Sequence, residues 1–285
     1  MKCCLPLLWA FMAITGIAGG QTLIDGTNYP DLFGGSDSVT VTAPSLPDGT
    51  LLGVHLGGSA TGELGNHWNA TATGGAVLGS NLPDILVTVP EERLAETGAQ
   101  VALDGTSLLF NINNSPASIL GSLGVGLSLA LNWDATVTFD EPGEMLVLAP
   151  NTIYQVSFDV YGENGLLEST LGLAPSFGLQ LLDGGSAVDA AAGGTLVNII
   201  GLQLLGVVGS PPESGRAVVQ FETGNTVSGN AAGLRFTGSA LVPATALGIG
   251  TQFASVSNLS ITQIPEPSSL LLGLLGAAVG FKRRR

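Results

Sequence analysis

Ile153-Tyr-Gln-Val-Ser-Phe-Asp-Val-Tyr161 sets the fold class, because Tyr154, Val156, Phe158 and Val160 fall on one side of an extended chain and Gln155, Ser157 and Asp159 on the other. Side chains alternate with a period of two in a strand, so the pattern makes a ribbon with one face in a core and one in water. It recurs in Ala217, Val219 and Phe221 against Val218 and Gln220, and in Leu234 and Phe236 against Arg235 and Thr237. Leu259 and Ile261 alternate with Asn258, Ser260 and Thr262, while Val256 is out of phase, which predicts a bulge near Ser257. Further strands are expected at Val39–Thr42, Leu51–Leu56, Ile85–Val89, Gln100–Leu103, Leu108–Ile112, Trp133–Phe139, Met145–Leu148 and Phe177–Leu182. The apolar runs Ile119–Leu131 and Leu196–Val208 read as buried strands. Glu141-Pro-Gly-Glu144 and Asp183-Gly-Gly-Ser186 supply tight turns, and Pro90 to Glu96, with its leading proline and acids, reads as a short helix. Short strands joined by polar, glycine-rich turns make an all-β antiparallel sandwich, expected over residues 21–263.

The two ends of the chain read differently. Lys2 precedes an apolar segment from Leu5 to Ala18, followed by small residues, the three-part pattern of a secretory signal peptide over residues 1–20. Cleavage is expected after Gly20, leaving Gln21 first, with Ala18 as the second choice; Cys3 and Cys4 go with the peptide. At the other end, residues 264–285, an uncharged run from Ser268 to Phe281 is followed by Lys282, Arg283, Arg284 and Arg285. Such a run closes its backbone hydrogen bonds as a helix in hydrocarbon. Its length is about 21 Å, short of the roughly 30 Å core of a bilayer, and long basic side chains reaching for headgroups narrow the gap. Cations at both ends place both in the cytoplasm and everything between them outside.

Pro265-Glu266-Pro267, the apolar helix and the basic cluster, in that order, closely resemble the PEP-CTERM sorting signal of bacterial exosortase substrates. The resemblance implies that Pro265, Glu266 and Pro267 are read by a membrane-embedded, sortase-like cysteine protease, the exosortase. It implies that Leu270, Leu271, Leu272, Leu274, Leu275, Val279 and Phe281 belong to the transmembrane anchor and that Lys282 to Arg285 form the cytoplasmic stop. The implied partners are therefore the secretion translocon, the exosortase and, before processing, the inner membrane. Leu148 to Thr262 also resembles the later part of a galactose-binding-type jelly roll, a fold of carbohydrate-binding modules and related surface domains, on its Asn-Thr-Ile-Tyr-Gln-Val-Ser-Phe-Asp strand, its Val-Gln-Phe strand and its closing Val-Ser-Asn-Leu-Ser-Ile strand.

Without residues 1–20 and the tail from Pro265, the chain keeps twenty-one acids against Arg93, Arg216 and Arg235, a net charge near −18. Nucleic acid is excluded as a partner, since its binding needs clustered cations on phosphates. The exported segment also has no lysine and no cysteine, which removes Schiff-base and thiol chemistry, P-loops and thiolate metal sites. Any serine triad would need His55 or His67, and no nucleophile elbow is present: Gly126-Leu-Ser-Leu-Ala130 lacks the second glycine. Glu141 and Glu144, the carboxylates nearest to a glycosidase pair, flank a turn and read as solvated charge. The oxygen-rich loops Asp25–Asp31 and Asp183–Asp189 leave calcium open as a ligand without matching an EF-hand, and no metal-site residue is assigned. Trp133 opens an alternating strand and reads as core, whereas Trp68, in an Asn-His-Trp-Asn stretch, reads as a loop aromatic that could stack on a sugar.

The reading is an exported acidic β-domain at the cell envelope, cell surface or extracellular matrix, not an enzyme and without a required cofactor, with a structural or adhesive role. A carbohydrate-binding module that takes polysaccharide through Trp68 is the alternative, and a carbohydrate-active hydrolase the third. One measurement follows from the charge. Self-repulsion at −18 falls as salt shortens the screening length to about 10 Å at 0.1 M, so the melting temperature should rise between low and moderate ionic strength. Calcium counts as a ligand if it raises the melting temperature beyond a sodium control of equal ionic strength.

Overall fold

A computed structural model describes residues 20–82, 91–115, 128–141, 143, 145–162, 176–188, 197–198, 213–243 and 251–264. Among them, every regular element is a strand and every pairing is antiparallel. The larger sheet runs β14 (Glu213–Glu222), β10 (Ile153–Gly162), β16 (Thr251–Ile264), β8 (Leu108–Ser115), β7 (Glu92–Leu103), β6 (Gly75–Asn81), β3 (Thr50–Leu56), with β1 (Gln21–Ile24) along β16 and β2 (Ser38–Thr40) along β7. The smaller runs β12 (Ser186–Ala187), β11 (Ser176–Asp183), β15 (Ala232–Pro243), β9 (Ser128–Thr138), β5 (Trp68–Thr73), β4 (Ser59–Leu64), with β13 (Val197–Asn198) along β11.

The order carries a topology. Take β8, β9, β10, β11, β13, β14, β15 and β16 as eight successive strands. The larger sheet then contains the first, eighth, third and sixth as neighbours (β8-β16-β10-β14), and the smaller the second, seventh, fourth and fifth (β9-β15-β11-β13). That is jelly-roll connectivity. Beyond it, β7, β6 and β3 widen the larger sheet past β8, while β5 and β4 widen the smaller past β9.

The inward residues of the two sheets make one continuous core. Phe236 of β15 sits at its aromatic centre, 5.2 Å from Phe158 of β10 and edge-on to it, and 6.0 Å from both Phe177 of β11 and Trp68 of β5. Phe177 in turn meets Phe110 of β8 edge-on at 5.1 Å. Because side chains alternate, a one-residue slip of any of these strands would send its aromatics to solvent, so this packing fixes register. The turn Gly184-Gly185 joins β11 to β12 with both glycines at positive φ, as a two-residue hairpin requires. The expected bulge is present: register with β10 shifts between Ser157 and Asp159, and Asn258 takes φ 51. The Asn258 amide donates to Asp159 Oδ2 at 2.6 Å, which holds this left-handed residue in place.

Three expectations are corrected. Residues 92–96 are not helical but open β7, where Arg93 and Glu92 pair with Gly79 and Ser80 of β6; the ladder overrides local helical preference. Met145–Leu148 forms only a single bridge, Val147 with Ala231. Trp68 is not in a loop: it begins β5, opposite Leu64 and Val137, and is 1% exposed. The proposed strand Ile85–Val89, most of the two glycine-bearing apolar runs, residues 1–19 and residues 265–285 lie outside the described residues. No helix among the described residues is long and apolar enough to cross a membrane.

Two loops are pinned by carboxylates. Asp25 accepts from the backbone N–H of Thr27 and Asn28, which holds its pKa below the usual range. At Asp104 partial burial pushes the pKa up, but donors on Thr106 and Ser107 outweigh it and the net shift is downward. A carboxyl with a depressed folded pKa stabilises above its unfolded pKa and loses that contribution as pH falls through the folded one. The melting-temperature gap between wild type and Asp104→Ala is therefore expected at neutral pH and should close as the solution is taken below the carboxylate range. Trp68→Ala should cost about 3–5 kcal/mol in a denaturant titration, because it empties a core position and orphans a carbonyl. Trp68→Phe should cost less.

Candidate functional site

Among the described residues, the start of β1 and the end of β16 come together. β16 is long enough to use two partners on one edge: Thr251 to Val256 pair with β8, and Thr262 and Gln263 pair with Thr22 and Gln21 of β1. Its other edge is paired with β10 from Ala254 opposite Gly162 to Ile264 opposite Ile153. Antiparallel neighbours put the start of one strand beside the finish of the other. Gln21 therefore lies against Gln263, next to the last paired residue before Pro265. Gly20 is closer still, since a Cβ built on it would lie 2.7 Å from the Gln263 carbonyl oxygen.

This corner is braced from behind. β10 begins there, and the Tyr154 hydroxyl accepts from the Ala149 N–H at 2.7 Å. Burial pushes the Tyr154 pKa up, so the phenol stays protonated, with the Ala149 hydrogen bond acting the other way. Thr223, just past β14, donates its hydroxyl to the Ala149 carbonyl at 2.7 Å and accepts from the Thr152 N–H at 2.9 Å. The loop that turns into β10 is thus satisfied within the protein. Pro265, Glu266, Pro267, the anchor leucines and the basic stop lie outside the described residues.

The other candidates are placed as follows. Trp68 presents no ring face to solvent: it stacks on Phe33 at 5.9 Å and donates its indole N–H to the Leu32 carbonyl at 2.6 Å. It is a core residue, and a glycan contact at this position is withdrawn. Trp133 is buried as expected, its indole donating to the Asn111 carbonyl across the sandwich. His55, on β3, is 2.7 Å from the Ser45 carbonyl; an oxygen that only accepts fixes the proton on Nδ1. His67 lies 3.4 Å from Glu141 and edge-on to Tyr29, tying the β4–β5 turn to the turn after β9. Of the calcium-candidate loops, Asp25 spends its carboxylate on its own turn and Asp183 on the N–H and hydroxyl of Ser228. No cluster of three or more potential metal ligands occurs among the described residues.

Sequence reading did not anticipate the cross-strand ion pairs. Arg216 reaches Asp159 and Ser157 across β14 and β10, and Arg235 reaches Asp134 across β15 and β9. Arg93 bridges Glu91 and Glu96 and donates to the Ala43 carbonyl. All three arginines of residues 21–264 are thus neutralised within the chain.

No protein-family model matches the chain, and no curated protein matches it. Among solved structures, a Stig cyclase of Fischerella sp. TAU, crystallised with a pyrrolidinylidene-indole, is 16% identical over 87% of this chain and 99% of its own, with a TM-score of 0.34. A carbohydrate-binding module studied for specific mannan recognition is 14% identical over 58% of this chain and 80% of its own, at TM-score 0.28. A xylan-binding domain from Paenibacillus barcinonensis is 10% identical over 48% and 74%, at 0.20. Likenesses this loose carry neither a ligand nor an activity over to the present chain.

Proposed function

We propose that this chain is an exported, non-catalytic β-sandwich, held transiently at the inner membrane by its tail and released by an exosortase at the Pro265-Glu266-Pro267 signal to serve a structural or adhesive role at the cell envelope or in the extracellular matrix. The observation that carries the reading is the pairing of Gln21 with Gln263. A domain with a signal segment before its first strand and an anchor after its last has to present both to one membrane. The pairing supports this, because β1 starts beside the end of β16. The acidic surface, whose three arginines are already paired within the chain, supports solubility outside the cell and disfavours anionic polymers. The glycan-binding alternative loses the aromatic on which it rested, now that Trp68 is buried.

Intact-mass measurement on protein recovered from its producing cells is expected to show loss of residues up to about Gly20 and of the segment from about Pro265 onward. A mature species that keeps Arg285 would sink the tail assignment. Glu266→Ala should leave export intact and cause the anchored precursor to accumulate, read as a membrane-bound band of higher mass that external protease can digest.

A further inference from the structure

The outer strands of the two sheets are protected unequally. β14 carries Glu213, Arg216 and Glu222; β4 carries Glu63; β12 and β13 are two residues long. Charge and brevity are the usual means by which an edge avoids pairing with another chain. β3 has neither. Its seven residues, Thr-Leu-Leu-Gly-Val-His-Leu, contain no acid, no lysine, no arginine and no proline, and among the described residues nothing pairs with its outer edge. A bulge against β6, between Thr50 and Gly53, turns Leu51 and Leu52 outward to 78% and 60% exposure, and Leu56 at the far end is 40% exposed. Leu82, just past the partner of Thr50, extends the apolar patch. From Gly53 to Leu56 the ladder is regular, so the free edge there has ordinary strand geometry.

We infer that the β3 edge is a self-association surface that takes β3 of a second copy, antiparallel about a two-fold axis, joining two larger sheets into one. The occupant follows from charge. Two copies that each carry −14 repel wherever acids face each other, and β3 is an outer strand along which they do not. A basic partner would find no counter-charge there, whereas an identical uncharged strand pairs its backbone groups and covers the leucines of both copies. A two-fold contact is self-complementary by construction. The inference concerns described residues only and stands whether or not the tail is processed.

The test uses the full chain with Cys3→Ser and Cys4→Ser, which removes the native thiols, purified in mild detergent at moderate salt. Sedimentation equilibrium is expected to give a dimer. Leu51→Lys with Leu52→Lys, at positions facing solvent, should leave the circular-dichroism spectrum of the folded chain unchanged and weaken the dimer by about tenfold or more, since each contact would bury unpaired charge. A chain that is monomeric throughout, or a dimer indifferent to the two lysines, would each overturn the inference.

Discussion

Backbone pairing on both edges of β16 is the constraint on which the rest of the structure depends. The strand is held by β10 along one side and by β8 and then β1 along the other, so it joins the first described strand to the middle of the larger sheet. Its inward residues, Ala254, Val256, Leu259 and Ile261, are all core. Without β16 the larger sheet would fall into two pieces, and β1 would have nothing to pair with. Its partners come from the start and middle of the chain, so closing this sheet means closing long loops before many contacts reward it.

Charge shapes what surrounds that sheet. Exposed ion pairs such as Arg216 with Asp159 are worth little each in water. Their placement matters more, because the cation stands between acids or polar groups that would otherwise face the field of some twenty like charges. Asp159 is shared between Arg216 and the Asn258 amide, so one carboxylate serves both the β14–β10 pair and the bulge in β16. Arg93 acts differently. With Glu91 and Glu96 it grips the segment through Ala43 and Leu46, whose N–H groups donate to those two glutamates. That segment closes a small second core of Ala43, Leu46 and Val77 on the outside of the larger sheet.

Strands with large inward residues were legible from sequence: β10, β14, β15 and the end of β16 appear where their alternation puts them. β4, β5 and β6 were not, because their inward positions are largely alanine and glycine. In Trp68 to Thr73 the alternation is complete, Trp68, Ala70 and Ala72 inward against Asn69, Thr71 and Thr73 outward, but the polar half reads as a loop when alanine carries the apolar signal. The same confusion made Trp68 look exposed. At the start of β7 the acids that read as a helical first turn serve a strand instead, Glu96 pairing with Arg93, so the local signal pointed to the wrong element. The pairing of the first strand with the last was not legible either. A single sequence contains no record of which strands pair, so nothing in it sets Gln21 beside Gln263.

Gly20 is the residue at which the proposed export signal would meet the fold. Signal peptidases favour small residues at the end of the segment they remove. The fold asks for the same thing for another reason, because a side chain at position 20 would run into the Gln263 carbonyl and the Thr262 methyl, both at 2.7 Å. The proposed cleavage after Gly20 would take the constraint away with the peptide and leave Gln21, the first residue of β1, paired with Gln263. Cleavage after Ala18 instead leaves Gly20 packed on Gln263, so β1 begins with a residue that tolerates no larger substitute. In both cases Gln21 and Gln263 stay paired, so the start of β1 and the end of β16 are neighbours, and a change that unpairs them loosens both.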